Sequence, residues 1–120
     1  MDITPLVAAD RPLIQAYGDG AFRIQGRQHV GSLILLRDQV VPWSGVLTVE
    51  GLAPVLAVAA EVEILVIGCG AAMALVPPDL RQVLRDHGIV PEPMDTGAGC
   101  RTWNVLLTED RRVAAALVAV

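Results

Sequence analysis

Ile64-Leu65-Val66-Ile67, followed at once by Gly68-Cys69-Gly70, is the stretch from which the fold of this chain is read. Four apolar residues in a row, three of them β-branched, make a strand with no polar face. Such a strand suits a central position with a layer packed on each side, and the glycines end it. Upstream, Leu52, Val55, Leu56 and Ala59 fall at i, i+3, i+4 and i+7, the stripe of a buried helix face, with Pro54 tolerable in its first turn. Downstream, Pro77-Pro78-Asp79 opens a second helix with Leu80, Val83, Leu84 and His87 on one stripe and Gly88 as its C-cap. Ile89 and Val90 lead a strand toward Met94. The turn Asp95-Thr96-Gly97-Ala98-Gly99 carries an N-cap for a third helix through Trp103, Val105 and Leu107. After Glu109-Asp110 a last strand is expected over 113–118.

Further out, Ala21-Phe22-Arg23-Ile24-Gln25 alternates apolar and polar residues, as does Gln28-His29-Val30. Gly26-Arg27 between them reads as the two-residue loop of a type II′ hairpin. Residues 32–36 form an apolar run that turns at Arg37-Asp38-Gln39. Val40-Val41-Pro42-Trp43 then reads as extended backbone, because Pro42 cannot donate to a ladder. Residues 1–17, with Pro5, Pro12 and the pair Asp10-Arg11, are expected to be an irregular lead-in. Short strands alternating with helices predict an α/β fold in a single domain over 1–120. A mixed central β-sheet should have helices packed on it, with an N-terminal antiparallel hairpin.

Composition narrows the function. The chain has 120 residues, 53% hydrophobic and 18% charged, with a mean hydropathy of +0.53, the profile of a packed globule. A net charge of −4 argues against a nucleic-acid-binding face. All nine basic residues are Arg, so Schiff-base lysine chemistry and the P-loop lysine are excluded. The opening Met1-Asp2-Ile3-Thr4-Pro5 lacks the pattern of a signal peptide. The longest uncharged apolar stretch, residues 64–76, has 13 residues, short of the roughly 20 a bilayer requires. Cys69 and Cys100 lie 31 positions apart, outside any CxxC motif, and read as two reduced thiols. A cytoplasmic protein that is not inserted into membranes and holds neither metal nor cofactor is expected.

Two groups of residues are candidates for a site. Gly68-Cys69-Gly70 follows the central strand, where α/β proteins place ligand loops, and its N–H groups would cradle an anion. The same residues serve equally as a tight structural turn, and a dinucleotide fingerprint would need glycine where Met73 stands. Asp95, Thr96, Cys100, Arg101, Thr102 and Asn104 form the second group, at the start of the third helix. There a helix dipole and an arginine would activate a thiol or bind a carboxylate or phosphate. As a site, Arg101 would point at the helix N-terminus near the glycine loop. As structure, Cys100 would be buried and Arg101 tied to a carboxylate such as Asp95. The structural alternative is preferred, because neither His29 nor His87 lies within evident reach as a base. Trp43 and Trp103 read first as core anchors; the alternative for Trp43 is that, with Pro42, it forms part of an exposed interaction patch.

The stretch Met94-Asp95-Thr96-Gly97-Ala98-Gly99-Cys100-Arg101-Thr102-Trp103-Asn104-Val105-Leu106-Leu107 resembles a family of short uncharacterised-domain proteins of bacteria and archaea. That family also contains the mitochondrial respiratory complex I assembly factor three. Gly31-Ser32-Leu33-Ile34-Leu35-Leu36, Pro42-Trp43, the strand ending in Gly68-Cys69-Gly70 and Arg112-Val113-Ala114-Ala115-Ala116-Leu117 extend the likeness over nearly the whole chain from about Gly18. Where the family usually has Thr, this chain has Cys69, which argues against the two thiols acting together. The resemblance implies a three-layer α/β fold and supplies no catalytic residue. Its mitochondrial member implies a role in binding other proteins. The leading expectation is therefore a non-catalytic interaction or assembly module with protein partners. The alternative is a small-molecule- or anion-binding protein, or an enzyme, using the 68–70 loop with the 95–104 block.

Overall fold

The computed structural model describes residues 11–120. The first part of the expected lead-in, residues 1–10, lies outside the described residues; the rest is not irregular throughout. Ile14–Gly18 is a strand, β1, paired antiparallel with β2 (Ala21–Ile24), which pairs in turn with β3 (Arg27–Val30). In β1 only Ile14 is buried, so the segment carries almost no apolar periodicity, and its strand character comes from its partner. The β2–β3 loop is Gln25-Gly26, one residue earlier than expected. Both residues have positive φ, +52° and +76°, which makes a type I′ turn and not the expected type II′.

These strands form a three-stranded sheet of their own. The mixed character of the central sheet arises elsewhere, from β4 (Leu33–Leu35) and β5 (Val40–Pro42). The remaining elements are α1 (Ala53–Leu56), β6 (Ile64–Gly68), α2 (Pro78–Asp86), β7 (Val90–Met94), α3 (Thr96–Thr108) and β8 (Val113–Leu117). The five-stranded sheet runs β5-β4-β8-β6-β7. β6 is interior and parallel to both neighbours, whereas β4 is antiparallel to β5 and β8. Pro42 closes edge strand β5, where a missing N–H costs nothing.

Side chains alternate across the sheet and divide the core in two. Ile34, Leu65, Ile67, Ala114 and Ala116 pack against Leu52, Val55, Leu80 and Leu84 of the α1 and α2 layer. Leu33, Leu35, Val66, Ala115 and Leu117 pack on the other face against Trp103 and Leu107 of α3 and Phe22 and Ile24 of the small sheet. The expected first helix is shorter than its stripe. It ends at Leu56, and Ala59–Glu61 forms a separate 3-10 turn. Gly88, at φ +75°, follows α2 in the left-handed conformation expected of a helix stop.

Candidate functional site

β6, β7 and β8 end together, at the edge where α/β sheets leave a crevice for ligands. Met94 closes β7 and Asp95 caps α3, its carboxylate accepting from the Ala98 N–H at 2.8 Å. The next residue, Thr96, is fully buried. Its hydroxyl donates to the Val118 carbonyl at 2.7 Å and accepts from the Gly70 N–H at 2.9 Å. Its own N–H donates to the Gly70 carbonyl at 2.9 Å. One side chain therefore ties the end of β6, the start of α3 and the segment after β8. The two sequence-predicted groups do converge here, and Thr96 is their junction.

Glycine makes the junction fit. A Cβ on Gly68 would stand 2.8 Å from Leu117 Cδ2 and 3.0 Å from Thr96 Cα, and one on Gly99 would stand 3.3 Å from Gly68 Cα. The glycines bring α3 onto β6, and the Gly70 N–H is spent on Thr96. The Cys69 N–H donates to the Met94 carbonyl at 2.7 Å, and its half-buried thiol lies 3.8 Å from the Ile67 and Ala74 carbonyls.

The other predicted residues are dispersed along α3. Cys100 is buried on the α3 side of the sheet with Trp103 and Leu117. Burial pushes its thiol up to about 11, and the neighbouring charge of Arg101 offsets that only in part. Arg101 is exposed and does not point to the glycine loop or pair with Asp95; its guanidinium lies 3.5 Å from the Tyr17 hydroxyl. The expected carboxylate partner is therefore corrected to a phenol from β1, 84 residues away in sequence. Asn104 acts as a strand surrogate, accepting from the Ile14 N–H and donating to the Ile14 carbonyl, both at 2.8 Å. Thr102 is half-buried on the same helix. Between β1 and α3, a depression of about 360 Å³ is lined by Tyr17, Arg101 and Asn104, with Cys100 at its wall.

The Pro42–Trp43 patch does not form. Pro42 is exposed, but Trp43 belongs to the core on the α1 and α2 side of the sheet, at 8% exposure. Successive residues of an extended chain face opposite ways, so an exposed Pro42 sends Trp43 inward. Among the described residues a continuous exposed apolar run lies instead at residues 71–75, Ala-Ala-Met-Ala-Leu, all exposed between β6 and α2, with Leu75 at 79%. The sequence signal for it is an apolar run without periodicity in a segment between two elements.

Among the described residues no helix is long and apolar enough to cross a membrane. Residues 14–118 match the family model described as protein of unknown function, DUF498/DUF598. An uncharacterized protein of Rhodobacter capsulatus is 42% identical over 105 residues, covering 88% of this chain and 82% of that protein. NADH dehydrogenase [ubiquinone] 1 alpha subcomplex assembly factor 3 of Xenopus tropicalis is 29% identical over 92% of this chain. The match spans 63% of the frog protein's length. The crystal structure of a Bartonella henselae protein, described as an outer membrane protein, superimposes with a TM-score of 0.87 at 40% identity. It covers 93% of this chain and 98% of that one.

Proposed function

Because this chain belongs to the DUF498/DUF598 family of proteins of unknown function, and its relatives include complex I assembly factor 3, we propose that it is a non-catalytic protein-interaction module of the assembly-factor kind. The observation that carries this reading is the exposed apolar run at residues 71–75, anchored at its root by Thr96 and Gly70. Five solvent-facing apolar side chains in succession raise the free energy of the isolated protein and gain a use when a partner covers them. The polar groups at the strand ends support the same reading. The Thr96 hydroxyl, the Asp95 carboxylate and the Asn104 amide are engaged by backbone, and the Cys100 thiol is buried and neutral at pH 7. The partner would be met in the cytoplasm, a compartment consistent with two free thiols.

Affinity purification from the native host tests the reading. A stoichiometric protein partner should be recovered with the wild-type chain and lost with Met73→Asp/Leu75→Asp, a variant that leaves the core intact. A co-purifying metabolite without a protein partner would refute it. That result would favour the depression beside Arg101 as an anion site. Arg101 makes no ion pair among the described residues there. Titration with citrate or inorganic phosphate, with Arg101→Gln as the control, would decide that second reading.

A further inference from the structure

β7 forms one edge of the central sheet, and its sequence, Val90-Pro91-Glu92-Pro93-Met94, is unusual for a strand. The Val90 N–H donates inward to the Glu63 carbonyl at 2.9 Å, and the Met94 carbonyl accepts inward from Cys69 at 2.7 Å. By strand alternation Glu92 also faces β6, so the two outward backbone positions are Pro91 and Pro93, which have no N–H. A further strand cannot add to this edge with a full ladder. Whatever binds here is held chiefly by side chains.

Those side chains are of two kinds. Between α2 and β7 lies an open cavity of about 310 Å³, floored by Val76, Ile89, Pro91 and Pro93. Arg81 and Arg85, one helical turn apart on the same face of α2, line its wall. Arg81 reaches the Val76 carbonyl at 3.5 Å, and neither arginine pairs with a carboxylate among the described residues. In a chain of net charge −4, two adjacent unneutralised guanidiniums repel each other and attract an anion. The exposed apolar run at 71–75 leads in chain order directly to Val76 on the cavity floor.

We propose that the α2–β7 groove, together with the 71–75 loop, is a docking site for a short acidic and apolar peptide segment of a partner protein. Apolar side chains of that segment lie on the Val76, Pro91 and Pro93 floor, and an Asp or Glu carboxylate pairs with Arg81 and Arg85. A polypeptide fits better than a free small anion because the arginines stand over an apolar floor of Val76, Pro91 and Pro93, which a small anion leaves unused and an apolar side chain covers. The proposal rests on the interaction-module reading and adds the place and the chemistry.

Selection of a displayed library of random twelve-residue peptides against the full chain, followed by NMR mapping of an enriched peptide, tests it. Enriched sequences should combine Asp or Glu with apolar residues, and amide shifts should concentrate at 75–76, 81–85, 89–90 and 92. Affinity should fall about tenfold or more in Arg81→Gln/Arg85→Gln, the scale of a lost charge-assisted hydrogen bond. Gln is a good helix former at these exposed sites, and circular dichroism verifies the fold. Enriched peptides without carboxylates, equal binding to the variant, or no enrichment while citrate or phosphate shifts the groove amides would each overturn the proposal. Peptides mapping to another face would overturn the groove and leave the interaction-module reading standing. A native-host purification without any protein partner would remove both.

Discussion

Thr96 shows how a residue at a ligand-site position can be consumed by the fold. Its hydroxyl serves two buried backbone groups at once. Thr96→Val keeps the shape and leaves the Gly70 N–H and the Val118 carbonyl without that partner, at a cost of about 1–3 kcal/mol per group. Urea unfolding should therefore show a loss of about 2–6 kcal/mol for Thr96→Val and a much smaller one for Thr96→Ser, which retains the hydroxyl. Equal losses for the two variants would mean that packing, not hydrogen bonding, holds the junction. Cys100 makes a prediction in pH. Its folded pKa is raised to about 11 by burial, so in alkali the unfolded thiol ionises first. The contribution to stability is complete below the ordinary thiol value and is lost as pH rises toward about 11. The stability of the wild type should fall through that window more steeply than that of Cys100→Ala, and folded Cys100 should resist alkylation at pH 8. Rapid labelling of Cys100 in a Cys69→Ser background below about pH 7 would reverse the assignment. That the 68–70 loop lies near the start of α3 was legible in sequence, because strand ends and helix starts meet in layered α/β folds, but the residue that makes the junction is Thr96 and not Arg101. The partner of Arg101 was not legible. It comes from β1, whose pairing leaves almost no local pattern.

The elements divide by how much of their stability is local. β6 was readable because burial on both faces demands an unbroken apolar run. α2 and α3 were readable because proline, glycine and Asp95 mark their ends. α1 was overestimated: a stripe of four apolar residues fits a helix, yet the chain leaves helical geometry after Leu56. Trp43 was readable as a core anchor and is one, whereas the alternative that joined it to Pro42 in an exposed patch fails because neighbouring residues of an extended chain face opposite ways. Seating α3 on β6 depends on Gly68, and this separates two glycines of similar appearance. A methyl group at Gly68 meets the backbone of Thr96 at 3.0 Å as well as Leu117. The Thr96 backbone cannot retreat without moving the helix, and the Leu117 side chain is fully buried, so Gly68→Ala should cost about 1–3 kcal/mol. A methyl group at Gly97 meets only the Tyr17 hydroxyl end and the Asp95 carboxylate, at 2.6 Å and 3.3 Å. Tyr17 is 43% exposed and free to swing outward. Gly97→Ala should therefore stay within about 1 kcal/mol of wild type, helped by the helix propensity of Ala. Chemical denaturation of the pair measures the difference, and equal costs would contradict this account of the close approach.

Across the whole molecule, two sheets share one core face but not one hydrogen-bond network. The five-stranded sheet is covered on both faces. The three-stranded sheet has its own edges and joins the rest through a few specific bonds. They include Asn104 with both backbone groups of Ile14, the Trp103 indole N–H with the Pro12 carbonyl at 2.9 Å, the Gly20 N–H with the Val120 carbonyl at 2.8 Å, and the Arg101 guanidinium with the Tyr17 hydroxyl at 3.5 Å. Apolar packing of Phe22 and Ile24 on the α3 side completes the attachment. A unit attached in this way should open locally before the molecule unfolds, whereas β6 and β8 should exchange only on global unfolding. Asn104→Ala removes two of the bonds and leaves Trp103 and the apolar cluster in place, at a cost of about 1 kcal/mol per bond. In native-state hydrogen exchange, amides of β1, β2 and β3 should lose about tenfold or more in protection, with β6 and β8 changed much less. An equal loss in all five strands would mean that the molecule opens as one unit and that Asn104 stabilises the global fold. Protection confined to β6, β8 and α3 would identify the part of the chain that holds the 71–75 loop and the α2–β7 groove in place while the small sheet opens.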